Sequence, residues 1–191
     1  MRERSHQRPP VLIIIGGFAG TGKTAISKRL STEFCIPRLG SDTLGRTIKR
    51  SMGVNNSDAY RIGYDVLFRL SEEFIRSGVS TILDLTMGWG FQWQHVDDII
   101  RRYPQTVFVP IVLRCPLVTC IERARQRHAS NPDHYDPPEV YTTDPKNLRI
   151  WKYLDHLNRP EIHPIDASGD LDQVYETVRA LVSAHLNTHR T

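Results

Sequence analysis

Short apolar runs alternate along the chain with longer stretches in which apolar residues recur every three to four positions. That alternation is the signature of a parallel sheet flanked by helices. Val11–Ile15 is an unbroken apolar run and reads as a fully buried first strand. The spacing predicts a helix over 24–34, a weak second strand at Ile36–Leu39 and a short helix from Asp42 to about Ser51. Ile62, Val66, Leu67, Leu70, Phe74 and Ile75 predict a strong helix over 60–76, stopped by Gly78. Ser80–Leu85 reads as a third buried strand, with Asp84 at its end, and Trp93–Arg102 as a helix closed by Pro104. Val107–Leu113 is a fourth strand, in which Pro110 predicts a bulge or a late start. Pro116 suits the first turn of a helix running to about Arg127. His128–Thr143 is polar, carries Pro132, Pro137 and Pro138, and reads as a mobile loop. A helix over 144–157, a fifth strand at Ile162–Asp166 and a closing helix over 171–186 complete the pattern.

Composition narrows the class. The 191 residues are 39% hydrophobic and 24% charged, which excludes a disordered chain or a membrane-embedded one. The longest apolar run, Val11–Ile15, is far too short to span a bilayer. Met1-Arg2-Glu3-Arg4 precedes the first strand without an apolar signal region, so a cytoplasmic protein is expected. Residues 1–10 read as a flexible tail and 11–191 as one domain. The formal charge of +4 is spread along the chain. It suits an anionic ligand and does not require nucleic acid. Cys35, Cys115 and Cys120 have no metal-ligand spacing and read as small buried hydrophobes in a reducing compartment.

The candidate chemistry centres on Gly17-Phe18-Ala19-Gly20-Thr21-Gly22-Lys23-Thr24, a complete G-x-x-x-x-G-K-[ST] between a buried strand and a helix. Glycines let successive backbone N–H groups turn toward phosphate oxygens, and the following helix presents its positive end to the same anions. Lys23 supplies a mobile charge for the β- and γ-phosphates, and Thr24 a hydroxyl for Mg²⁺. Asp42 lies just past the second strand, where it could take the proton of an attacking hydroxyl or cap a helix. Asp84 ends an apolar strand in the manner of a Walker B acid, a metal-holding role, although strand-end acids are also common without one. Arg123 and Arg127 share a helix face beside the polar loop, as a phosphate-clamping lid would need or as a solvated basic face would show. Arg125 reads as a bystander. Trp89 and Trp93 follow Asp84 and either stack on a substrate or pack the next helix.

With these residues in place, the chain resembles the P-loop kinases of the adenylate-kinase-like branch, most closely the small AAA-type ATP-binding kinases. That group includes chloramphenicol phosphotransferase, gluconate kinase, zeta toxin and the kinase domain of polynucleotide kinase. The resemblance covers roughly residues 11–182. It rests on 17–24, on Asp42, and on Tyr64-Asp65-Val66-Leu67 through Ser77-Gly78 to Ile82-Leu83-Asp84. It continues in Leu113-Arg114-Cys115-Pro116, in Glu122-Arg123 with Arg127, and in Asp166-Ala167-Ser168-Gly169. It implies an α/β fold with a five-stranded parallel sheet of order 2-3-1-4-5 and a small helical lid at about 116–143. It implies ATP and Mg²⁺ as cofactors, transfer of the γ-phosphoryl group to a hydroxyl, Asp42 as base and Ala167-Ser168-Gly169 against adenine. Relatives often carry Asp-x-x-Arg after the second strand, whereas here Arg46 follows Asp42 by four. Arg46, Trp89 and Trp93 therefore fall where relatives bind different acceptors.

A small-molecule O-kinase is the leading expectation. A polynucleotide or nucleotide kinase shares every motif, but the basic residues occur only as scattered pairs, such as Lys49-Arg50 and Arg101-Arg102. A nucleotide-binding switch without transfer is the third reading, against which Asp42 and the paired arginines argue. A homodimer is an open possibility, and no membrane partner is expected.

Overall fold

A computed structural model describes residues 8–132 and 135–188. The chain runs β1 (Val11–Gly17), α1 (Lys23–Phe34), β2 (Arg38–Gly40), α2 (Ser41–Met52), α3 (Asn56–Arg76) and β3 (Thr81–Asp84). It continues through α4 (Gly90–Arg102), β4 (Val107–Arg114), α5 (Leu117–Ser130), α6 (Val140–Thr143), α7 (Pro145–His156), β5 (His163–Asp166) and α8 (Leu171–Thr188). The five strands form one parallel sheet in the order β2-β3-β1-β4-β5. The expected strand order is therefore the observed one. No helix among the described residues is long and apolar enough to cross a membrane.

The sheet is covered on both faces, and its central strand β1 is buried at every position. Leu12 and Ile14 of β1 point to a cluster with Leu67, Phe68 and Ile75 of α3, Val96 and Ile99 of α4, and Leu154 of α7. Val11, Ile13 and Ile15 point the other way, to Ile26 and Leu30 of α1 and Val174, Val178 and Val182 of α8. Each such side chain contributes roughly 1.5–3 kcal/mol on burial.

Several local expectations need correction. Pro110 produces neither bulge nor late start: β4 keeps register with β1 from Val107 to Leu113, with Pro110 opposite Ile14. The Val107 N–H points to Pro10 C=O, on the β1 side. Alternation turns the Pro110 nitrogen toward β5, whose pairing begins only at Ile111, so no ladder hydrogen bond is lost. Of the expected tail, residues 1–7 lie outside the described residues, while Pro10 is buried and bonded to β4. Cys35 is exposed because it caps α1 in the left-handed conformation at φ 52°; only Cys115 and Cys120 are buried. Pro116 caps α5 instead of lying in its first turn.

Helix α2 has little apolar face of its own, with Ser41 and Gly45 as its buried residues. It is held by close approach to α3. The Tyr60 ring lies where a Cβ on Gly45 would be, at 2.9 Å, and a Cβ on Gly63 would stand 3.2 Å from the Gly45 nitrogen. This near-backbone crossing fixes the helix that carries Asp42 and Arg46.

Candidate functional site

All the predicted residues except Trp93 gather at the carboxyl edge of the sheet, the ligand-binding edge of open parallel sheets. The P-loop leaves β1 there, bound to the next strand's extension by Gly17 N–H donating to Thr86 C=O at 3.0 Å. Inside the loop, Phe18 C=O accepts from Lys23 Nζ and from Thr21 Oγ1, both at 2.8 Å. Gly20 sits against the start of α5, where a Cβ would stand 2.4 Å from Cys120 O, so only glycine fits. Gly22, at φ 92°, caps α1 and leaves the helix's first N–H groups facing the loop's concavity.

Lys23 is half-buried. Burial pushes its pKa down, opposed first by Asp84 and then by Asp42. The P-loop ammonium and both candidate carboxylates thus share one electrostatic neighbourhood. Thr24, the second residue of α1, is exposed, and its hydroxyl makes no hydrogen bond among the described residues.

The two acids differ sharply. Asp84 is buried, and its Oδ2 accepts from Arg38 Nη2 at 2.9 Å and Ser27 Oγ at 3.1 Å. Its Oδ1 takes no hydrogen bond among the described residues. Asp42 is exposed in the first turn of α2, where an acid favours the helix dipole; Gly40, not Asp42, occupies the cap position. The charge of Asp42 reaches Tyr60, Tyr64 and Tyr141, adding to the burial that raises all three hydroxyl pKa values. Arg46 lies one turn further along the exposed face of α2, and its charge opposes that of Asp42 on Tyr60. Asp42 thus links Arg46 and the tyrosines electrostatically to Lys23, at the edge where an open parallel sheet has its ligand crevice.

The lid arginines separate. Arg123 is tied down: Nη1 donates to Ala167 C=O at 2.6 Å, and Nη2 to Ser168 C=O at 3.0 Å and Gly169 C=O at 2.8 Å. Loop carbonyls with no strand partner take up its donors, so it staples α5 to the loop after β5 and is not a mobile clamp in this structure. Arg127 is exposed, with its guanidinium 5.5 Å over the Tyr135 ring, and its charge reaches Lys23. Arg125 pairs with Glu122. The segment after α5 is more anchored than a polar loop would be. His128 Nδ1 bonds to Tyr135 C=O at 2.8 Å, and Tyr141 of α6 meets Phe18 edge-on at 5.9 Å.

The two tryptophans also part. Trp93 is buried in the core, with Arg159 over its ring at 4.6 Å, so it packs α4 and cannot stack on an acceptor. Trp89 is half-exposed, with the Lys146 ammonium 5.3 Å from its ring. Ala167 is buried, its N–H bonded to Arg114 C=O at 2.7 Å, while Ser168 and Gly169 are exposed beside Arg123. A separate cavity of about 150 Å³, bounded by Arg114, Asp155, Leu157 and Arg159, includes none of the predicted site residues.

Sequence reasoning missed Arg38, which is only 15% exposed at its side chain and holds Asp84. The available signal was a lone charge in a short strand beside a glycine, which raises the question of where that charge is neutralised. No group of three or more His, Cys, Asp or Glu among the described residues could hold a metal. Thr24 Oγ1 and Asp84 Oδ1 are too few oxygens for a protein cage. They fit Mg²⁺ that arrives on nucleotide phosphates with its own water.

A five-stranded parallel sheet of this order, with a P-loop after its central strand, defines a P-loop NTPase fold of the kinase type. The chain belongs to the AAA domain family, whose pattern it matches over residues 12–142. Among solved structures, it is similar to a candidate kinase from Chloroflexus aurantiacus at 21% identity and TM-score 0.65, over 91% of this chain and 98% of that one. A gluconokinase from Sinorhizobium meliloti 1021 aligns at 17% identity and TM-score 0.63, covering 96% and 95% of the two chains. A sugar kinase from Janibacter sp. HTCC2649 aligns at 17% identity and TM-score 0.62, covering 92% and 95%. No curated protein matches the sequence.

Proposed function

We propose that the protein is an ATP-dependent phosphotransferase that moves the γ-phosphoryl group to a hydroxyl of a small molecule. The carrying observation is the complete P-loop between β1 and α1, with Asp84 ending the neighbouring strand β3 and Asp42 following β2 at the same edge of the sheet. The P-loop N–H groups and the α1 N-terminus hold the β- and γ-phosphates, and Ala167–Gly169 borders the nucleotide base. Mg²⁺, held by Thr24 and Asp84 with the phosphates, would neutralise phosphate charge. Asp42 takes the acceptor's hydroxyl proton as its oxygen bonds to the γ-phosphorus. The bond to the β–γ bridging oxygen breaks, and the charge left on ADP is met by Lys23 and Arg127. Arg46, Tyr60 and Trp89 bound the acceptor side, and residues 116–143 act as a lid.

The gluconokinase and the sugar kinase with the same fold support a small-molecule acceptor over a nucleic-acid one. The test is a panel of sugars, sugar acids, nucleosides and 5′-hydroxyl oligonucleotides with γ-labelled ATP and Mg²⁺. Label appearing on a small hydroxyl compound is the expected result. Label only on oligonucleotides would move the assignment to a polynucleotide kinase, and nucleotide binding without any transfer would leave a switch module.

A further inference from the structure

Arg38 reaches Asp84 by an unusual route. In a strand, residues two apart share a face, and here the next residue on that face is Gly40. A Cβ at Gly40 would stand 3.0 Å from Arg38 Nη2 and 3.3 Å from Cζ. The guanidinium therefore lies across the bare glycine to Asp84, which is opposite Gly40 in the β2–β3 register. Nε donates to Ser27 Oγ at 2.9 Å, Nη2 to Asp84 Oδ2 at 2.9 Å, and the Ser27 hydroxyl closes the triangle at 3.1 Å. Strand β2, strand β3 and helix α1 are joined at one buried charge pair.

Stability alone does not explain such a pair, since burying two charges costs about as much as their attraction returns. The neighbour that does is Lys23. Ser27, whose hydroxyl holds Asp84, lies one helical turn after Lys23 on the same face of α1, so the acid stands beside the lysine; yet Lys23 donates to Phe18 C=O and not to Asp84. Two cations face one buried acid, and Arg38 holds it. A buried carboxylate stripped of its partner takes the nearest cation, because leaving it unpaired is costly. Here that cation would be the P-loop lysine.

We propose that Arg38 is a positioning residue: as the resident counter-ion of Asp84, it keeps that carboxylate off Lys23 and leaves the ammonium directed at polyphosphate. The assignment rests on the nucleotide-binding reading above. It is tested by calorimetric titration of ATP in EDTA, which removes any contribution of Asp84 through metal. Arg38→Met should weaken metal-free ATP binding by roughly ten- to a hundredfold, the range for losing one charge-assisted contact. Arg38→Gln keeps hydrogen-bonding groups without the charge and should weaken it as much; Arg38→Lys should retain most of the affinity. The distinguishing result is rescue. Arg38→Met combined with Asp84→Asn leaves no acid to capture Lys23, and should bind ATP within a few-fold of Asp84→Asn alone. If Arg38 acted by its packing or by its own charge, and not through Asp84, the double variant would stay as weak as Arg38→Met. Either that outcome, or folded Arg38→Met and Arg38→Gln proteins that bind like wild type, overturns the assignment. If Arg38→Met fails to fold, the Arg38→Gln and Arg38→Lys pair decides it. Wild-type protein that binds no ATP would instead overturn the nucleotide reading itself.

Discussion

The proposed nucleotide end and the proposed acceptor end of the crevice are built from different materials. Around the P-loop the groups that matter are backbone: the N–H groups after Gly17, the carbonyl of Phe18 that gathers Lys23 and Thr21, and the three carbonyls of residues 167–169 held by Arg123. There Phe18 and Thr21 are buried and Lys23 is bonded, while Thr24 stands exposed. Across the crevice, Asp42 and Arg46 are exposed, and Tyr60, Trp89 and Tyr141 are half-exposed. They come from α2, α3, the loop after β3 and α6, which are far apart in the chain. A phosphate chain is the same in every nucleotide, so a rigid backbone cradle serves it. An acceptor differs from one enzyme to the next, and exposed side chains on separate elements can change without disturbing the cradle.

That contrast predicts which substitutions damage which half-reaction. Lys23→Ala should have the largest effect, lowering transfer by roughly a hundred- to a thousandfold as one charge-stabilising donor is lost. Nucleotide binding should weaken by about 1.5–3 kcal/mol. A steady-state rate and a binding isotherm check both, and wild-type turnover by Lys23→Ala would end the P-loop assignment. Asp42→Asn comes next: transfer should fall by roughly a hundredfold, the scale for a lost general base, with Mg·ATP affinity near wild type. Loss of nucleotide affinity in that variant would erase the division between the two ends.

Arg123→Met and Arg127→Met sharpen the comparison within one helix. Removing Arg123 leaves the carbonyl of the buried Ala167 without the donor that satisfies it, and should lower stability by about 1–3 kcal/mol while weakening nucleotide binding. Arg127→Met should leave the melting temperature unchanged and reduce transfer. Equal melting shifts for the two would contradict the separate roles. The smallest expected effect is at Tyr141→Leu. Its edge contact with Phe18 is worth about 0.5–1.5 kcal/mol. Hydrogen exchange over 135–143 should quicken by the corresponding factor, and unchanged exchange would show that α6 is held by other contacts.

Much of the fold was legible in order of strength. The apolar runs of β1, β3 and β4 and the alternation with helices led to the sheet, and the order followed from the family resemblance. Pro110 misled because a missing N–H matters only on a paired side of a strand, and pairing is set by where β5 begins. Cys35 misled because a left-handed cap turns a nominally apolar residue out to solvent. Trp89 and Trp93 look alike in sequence. The four-residue separation spans little more than one turn, yet it puts one ring at the crevice and the other in the core.

Spacing alone determined the phosphate cradle. A G-x-x-x-x-G-K-[ST] run between an apolar strand and a helix is a local object, and its glycines and first helical turn act on neighbours a few residues away. The same holds for the buried first strand and the length of α3. Tertiary structure decided the state of each charge. Asp84 and Asp42 are both acids near strand ends, but one is locked to an arginine on a neighbouring strand and the other stands in the open crevice. Arg123 and Arg127 share a helix face, yet only one meets the loop carbonyls of β5, some forty residues on. The cause is that a charge is governed by whatever lies within a few ångströms, and in a parallel sheet those neighbours are supplied by crossovers between elements that are distant in sequence.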